Sequence, residues 1–228
     1  MNADVRGGKR GHGGVRMPLS VLAAAVCCLL IAVAGCGNNG SSGNGGEDGG
    51  GDGGDGVEGA FTDTRDGRRY RMVQLGTYVW MAGNLNYAGH TAGNSWCYED
   101  NTSNCEKYGR LYDWNAAMSA CPPGWRLPVS VNWTDMVRAA GGGAAGKNLK
   151  SKEPEWDGAD EYGFSALPGG FRYNIDGGFY GAGTNGSWWD ATYGGDNAFR
   201  RAMLSGADEV RENNNDKNMG YSVRCIRE

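Results

Sequence analysis

After residue 60 the apolar positions come in short bursts between glycine and polar turns, and the spacing within each burst predicts its element. Tyr70-Arg-Met-Val-Gln-Leu75 and Tyr78-Val-Trp-Met-Ala82 suit a pleated surface, and Gly76-Thr77 between them predicts a tight hairpin. Asn84-Leu-Asn-Tyr87 leads into a loop, and the polar segment 98–104 carries neither a helical nor a strand period. Leu111, Trp114, Met118 and Cys121 recur at helical spacing with Ala117 on the same side, which predicts a first helix ended by Pro122-Pro123-Gly124. Trp125-Arg-Leu-Pro128 reads as extended. Ser130 is the expected N-cap of a second helix with the stripe Trp133, Met136, Val137 and Ala140, and Gly141 as its stop.

From Gly146 onward the period is that of strands. Runs at 163–167, 170–173, 178–180, 187–192, 198–204, 209–211 and 221–227 are split by Gly, Asn and Asp turns, and Asn174-Ile-Asp-Gly-Gly178 predicts a hairpin turn. Tyr221-Ser-Val-Arg-Cys-Ile-Arg227 alternates in polarity, so the last strand is expected to bury one face. Two short helices and many short strands predict an α+β domain with long loops.

The N-terminus follows another pattern. Residues 1–18 are basic and glycine-rich, and the apolar run 19–34 is somewhat short for a bilayer span of about 20 residues. It ends in Val33-Ala34-Gly35-Cys36, small residues before a cysteine, which resembles the lipobox of bacterial lipoproteins. A signal peptidase needs small side chains before its cut, and the Cys36 thiol is the nucleophile that takes the lipid. The expectation is a signal peptide at 1–35, with either Met1 or Met17 as its start, and acylated Cys36 as the link to the bilayer. An ordinary secretory signal or an uncleaved anchor helix is the alternative. Gly37, where an aspartate would retain the protein, implies the outer membrane by resemblance to lipoprotein sorting. Residues 37–56 hold no apolar side chain. The stretch 36–60 therefore reads as a flexible tether of roughly 25 Å root-mean-square span. Its glycine-aspartate run lacks the recurring apolar residue that a calcium-binding β-helix needs.

Composition sharpens the domain at 61–228. All eight tryptophans lie there, and glycine, at 42 residues, is the commonest type, so the core is aromatic and threaded through glycine turns. The formal charge is −4. Without Asp4, Arg6, Lys9, Arg10 and Arg16 the exported part carries 18 basic and 25 acidic residues, near −7, which argues against nucleic acid as a partner. Cys27 and Cys28 leave with the signal. Cys97, Cys105, Cys121 and Cys225 remain, an even number in an exported domain, which reads as disulfides with three possible pairings. Cys97–Cys105 and Cys121–Cys225 are the expected pairs. A four-cysteine zinc site is disfavoured because no C-x2-C spacing occurs.

The motifs Trp80-Met-Ala-Gly-Asn-Leu-Asn86, Trp96-Cys-Tyr98, Tyr108-Gly-Arg-Leu-Tyr112, Cys121-Pro-Pro-Gly-Trp-Arg-Leu-Pro128, Gly163-Phe-Ser-Ala-Leu-Pro-Gly-Gly170, Trp188-Trp189 and Gly220-Tyr-Ser-Val-Arg-Cys225 resemble, in this order, the Fibrobacter succinogenes major paralogous domain. The resemblance implies a fold similar to C-type lectin-like domains and the formylglycine-generating enzyme core: two helices, a twisted antiparallel sheet and long loops, stapled by disulfides. A helix-to-last-strand disulfide is typical of lectin-like domains and favours Cys121–Cys225. The family usually carries an acidic residue where Asn132 stands, which is expected to weaken the first turn of the second helix.

Candidate chemistry is sparse. His90 is alone in the exported part, with no G-x-S-x-G or H-E-x-x-H motif around it. Formylglycine generation needs active-site cysteines, and the four here serve better as bridges. Glu153, Glu155, Asp157, Asp160 and Glu161 are the acids a polysaccharide-cleaving enzyme would use, though closeness in sequence is not opposed geometry. For binding, Trp188-Trp189-Asp190 places adjacent aromatics on opposite strand faces, one for the core and one able to stack on a sugar. Asn213, Asn215 and Asp216 offer oxygens to a calcium ion in the loop before the last strand. The reading is a surface lipoprotein with a non-catalytic lectin-like domain for a glycan or a surface protein. An enzyme on polysaccharide and a purely structural coat protein are the rivals.

Overall fold

A computed structural model describes residues 59–228. The expected signal peptide, Cys36 and most of the tether lie outside the described residues. Among the described residues no helix is long and apolar enough to cross a membrane.

The chain opens with β1 (Gly59–Thr62), β2 (Arg69–Leu75) and β3 (Tyr78–Met81), an antiparallel meander whose second turn is the predicted one at Gly76-Thr77. Next come β4 (Ser95–Trp96), α1 (Thr102–Tyr108), β5 (Leu111–Tyr112), α2 (Trp114–Ala120), α3 (Ser130–Ala139) and α4 (Ala145–Leu149). The strand-rich half holds β6 (Gly169–Arg172), β7 (Phe179–Ala182), β8 (Asn185–Gly194), β9 (Asn197–Leu204), β10 (Arg211–Asp216) and β11 (Ile226–Arg227). The strands form sheets in the orders β1-β2-β3-β11, β10-β9-β8-β6-β7 and β4-β5. β6 and β8 are parallel and the other named pairs antiparallel. The fold is thus α+β with four short helices rather than the two expected, and mixed rather than purely antiparallel sheets.

Each departure has a local cause. α1 falls in a segment without period because only Cys105 and Tyr108 of its seven residues are buried; the Asn101 side chain caps it by accepting from Ser103 N. Leu111 and Tyr112 are strand, and α2 starts after Asp113, whose Oδ1 accepts from Ala116 N at 2.8 Å. α2 packs on a face of Ala116, Ala117 and Ala120, so Met118 of the predicted stripe is 47% exposed. In α3, Trp133, Met136 and Ala140 are buried as expected, but Ser130 does not cap it: its Oγ donates to Asp190. Asn132 reinforces the first turn instead of weakening it, because its Oδ1 accepts from Val129 N and Arg126 Nη1, both at 3.0 Å. The 163–167 run makes only a bridge, Lys150 to Ala166, and β10 occupies 211–216, where a strand at 209–211 and then a loop were expected.

The last segment corrects a further expectation. Residues 221–226 are buried on both faces, not one, because the segment runs between the two large sheets: Ser222 bridges Trp188, and Ile226 pairs with Trp80. Both expected disulfides are present, Cys97–Cys105 and Cys121–Cys225.

Asp113 also accepts from Asn94 N at 2.7 Å, so one buried carboxylate holds both the α2 N-terminus and the preceding loop. Asp113→Ala is expected to destabilise the domain by about 2 kcal/mol, at the upper end for a cap. A urea midpoint unchanged within error would refute this.

Candidate ligand-binding cleft

The β6–β7 hairpin carries a cluster of aromatic side chains. Its turn closes as predicted: Asp176 Oδ1 accepts from Gly178 N at 2.8 Å, and Gly177 has φ 71°. Phe171 pairs in register with Tyr180, so the two side chains share a face, and Tyr173, two residues beyond Phe171, lies on that face too. The ring centroids lie 5.9 Å apart for Phe171–Tyr180 and 6.4 Å for Tyr173–Tyr180. Tyr173 and Tyr180 are 40% and 45% exposed. Gly170, at φ 66°, lets the β6 backbone pass against β7; a Cβ there would stand 2.4 Å from Tyr180 O.

Facing this hairpin are Arg200 from β9, Asn215 from β10, and Met219 and Tyr221 from the segment leading to β11. Together they enclose a cleft of about 420 Å³. Arg200 donates from Nε to Asn215 Oδ1 at 2.7 Å and from Nη1 to Ser187 Oγ at 3.1 Å, with Cζ 5.2 Å from the Tyr221 ring centroid. Burial pushes the Tyr221 phenol up to about 12, against the opposing pull of Arg200. On the hairpin, the Tyr180 hydroxyl donates to Asp176 Oδ2 at 2.6 Å, which holds that carboxyl below its ordinary range and raises the phenol. The cleft is therefore an aromatic wall with a guanidinium and an amide on the opposite side.

Of the residues singled out from the sequence, only Asn215 lines this cleft. Trp188 and Trp189 are both fully buried, which overturns the expectation that one would be a stacking platform. They do point to opposite faces of β8, but both faces are covered. Trp188 packs with Trp80, Trp133 and Phe164, and Trp189 with Tyr112, Trp114 and Tyr221. Each indole N–H is satisfied internally, by Asn84 Oδ1 at 2.8 Å and Tyr112 O at 2.6 Å. Asp190 is buried between Ser130 Oγ and Arg201 Nη2, at 2.8 and 3.1 Å. Asn213 and Asp216 sit on β10, where neighbouring side chains alternate, so the run does not converge on one cation. Asp216 is engaged by Asn218 N and Nδ2, both at 2.8 Å. Among the described residues no three His, Cys, Asp or Glu side chains gather as a metal site.

The acidic loop is dispersed as well. Glu153 lies 3.8 Å from Lys107 Nζ, and Asp160 accepts from Ser165 N and Oγ at 2.7 and 2.6 Å. His90 contacts Ala92 O and Ser95 Oγ at 3.0 and 2.9 Å. Among the residues missed in the sequence are Phe171, Tyr173, Tyr180 and Arg200. A signal for three of them was present: aromatics at alternate positions on two strands joined by a five-residue turn must meet on one face.

Against known proteins, the family model described as Fibrobacter succinogenes major domain matches residues 73–227. No curated protein and no solved structure matches the chain.

Proposed function

The chain belongs to the Fibrobacter succinogenes major domain family, and from this premise we propose that it is a lipid-anchored outer-membrane protein whose non-catalytic, lectin-like domain binds a glycan in the Tyr173–Tyr180–Arg200 cleft. The observation that carries the reading is the exposed aromatic wall facing polar donors. A pyranose ring has apolar C–H faces and a hydroxyl edge, which suit stacking on Tyr173 and Tyr180 with hydrogen bonds to Asn215 and Arg200. The volume, about 420 Å³, lies within the ~300–1,000 Å³ range of small-molecule sites.

The lectin-like fold is supported by the antiparallel hairpins and the disulfide from the end of α2 to the segment before β11. The anchor is supported by Val33-Ala34-Gly35-Cys36 and the apolar-free stretch after it, with the signal peptide at 1–35, the tether at 36–60 and the domain at 61–228. Several acyl chains, at about 0.8 kcal/mol per buried methylene, hold such a protein on a membrane. The non-catalytic reading is favoured over a polysaccharide-cleaving enzyme because none of Glu153, Glu155, Asp157, Asp160 and Glu161 lines this cleft.

A glycan array on the soluble domain, followed by calorimetry on the best ligand, tests the reading. Tyr180→Ala and Tyr173→Ala are each expected to weaken binding about tenfold, as for an anchor ring. A wild-type domain that binds no glycan, or binding indifferent to the double variant, refutes the cleft. Labelled palmitate incorporation into the full chain, lost in Cys36→Ser, tests the anchor.

A further inference from the structure

We propose that the cleft selects an acidic saccharide, with Arg200 recognising a carboxylate or sulfate on a ring stacked against Tyr180; this rests on the glycan reading above. The argument begins with what holds Arg200. Its guanidinium is fixed by Asn215 Oδ1, Ser187 Oγ and the Tyr221 ring, all neutral partners. No carboxylate among the described residues lies within ion-pair distance of it. The next residue along β9 is the contrast: Arg201 is neutralised by Asp190 and Glu212. A cation fixed in place on a cleft wall, yet without a counter-charge, is preorganised for an anion that arrives with the ligand.

The acid on the same cleft does not fill that role. Asp176 is turned into its own hairpin, accepting from Gly178 N and the Tyr180 hydroxyl, and the nearby cation it senses is Arg172. The wall and the charge are thus separately braced, Tyr180 by Asp176 and Arg200 by Asn215. A ligand bearing an apolar ring face and an anionic substituent meets both at once.

Whole-domain charge does not oppose this ligand. Residues 59–228 carry 18 basic and 20 acidic side chains, near neutral, and the remaining excess of acid in the exported part lies in the tether. Long-range repulsion of a polyanion by the domain is correspondingly small at physiological salt.

The test uses three matched probes on the soluble domain: oligogalacturonate, its fully methyl-esterified neutral form, and a sulfated galactan oligosaccharide of equal length. Calorimetry is expected to show at least one acidic probe bound about tenfold or more tighter than the neutral ester, the range of one charge-assisted contact. Which acidic probe prevails tells carboxylate from sulfate. Arg200→Gln is expected to abolish the preference, and Arg200→Lys to retain part of it, since a point charge replaces a planar fork. If Arg200→Gln fails to fold, the wild-type salt dependence decides: acid binding must weaken between about 50 and 300 mM NaCl more than ester binding does. Equal binding of acidic and neutral probes, both weakened by Tyr180→Ala, overturns the charge selection and leaves the glycan cleft standing. No binding of any of the three by the wild type overturns the proposal, and the array then decides the glycan reading separately.

Discussion

Arg224→Met is expected to lower the unfolding free energy by about 4 kcal/mol, read as a shift in urea midpoint. Arg224 is fully buried, and desolvation pushes its guanidinium down to about 9, which leaves it charged at neutral pH. It donates to Asn84 Oδ1 at 2.8 Å, Met81 O at 3.1 Å, Phe164 O at 2.5 Å and Ser165 O at 2.8 Å. One side chain thus ties β3, the 163–167 run and the terminal segment together. Methionine fills much of the volume but removes the donor from Met81 O, Phe164 O and Ser165 O, at roughly 1–3 kcal/mol for each buried group, while Asn84 Oδ1 keeps Trp188 Nε1. Relief of the buried charge works in the opposite direction. The acceptors prevail here because three of the four, Met81 O, Phe164 O and Ser165 O, are backbone groups that cannot rotate away. Arg224→Lys keeps the charge but reaches fewer acceptors, and is expected to lose about half as much. A loss under about 1 kcal/mol for methionine would mean that water or rearrangement satisfies the carbonyls, and the account would fail.

Removing the Cys121–Cys225 bridge as Cys121→Ala with Cys225→Ala is the second large effect. The bridge spans 104 residues of sequence, against eight for Cys97–Cys105. Loop-closure entropy puts the two at about 4.7 and about 2.5 kcal/mol, so the long bridge contributes more. The expected result is a drop in thermal midpoint larger for the Cys121/Cys225 pair than for the Cys97/Cys105 pair. Equal drops, or the reverse order, would show that native packing replaces the long bridge.

Asn84 illustrates how a motif that is local in sequence serves a distant purpose. Its Oδ1 accepts from both Trp188 Nε1 and Arg224 Nε at 2.8 Å, and its Nδ2 donates to Tyr108 O at 2.7 Å. The amide joins four family motifs, Trp80–Asn86, Tyr108–Tyr112, Trp188-Trp189 and Gly220–Cys225, at one buried point. Nothing in the residues next to it indicates those partners.

By itself, the sequence determined whatever depends on neighbours along the chain. The hairpin at Gly76-Thr77, the turn at 174–178, the stripe of α3 and its stop at Gly141 are short-range consequences of turn chemistry and period. The even count of cysteines at 61–228 likewise pointed to two bridges. Only the tertiary structure decided which faces are covered. Alternation along β8 places Trp188 and Trp189 on opposite sides, but whether a side meets water depends on what packs there, and both sides of β8 are packed. The same holds for the terminal segment, enclosed between two sheets. The candidate cleft arises the same way. Tyr173 and Tyr180 are local to one hairpin, but Arg200 and Asn215 reach them only through strand order β10-β9-β8-β6-β7 and a parallel β6–β8 pair, and Tyr221 through the Arg172–Gly220 and Trp188–Ser222 bridges, none of which a local period encodes.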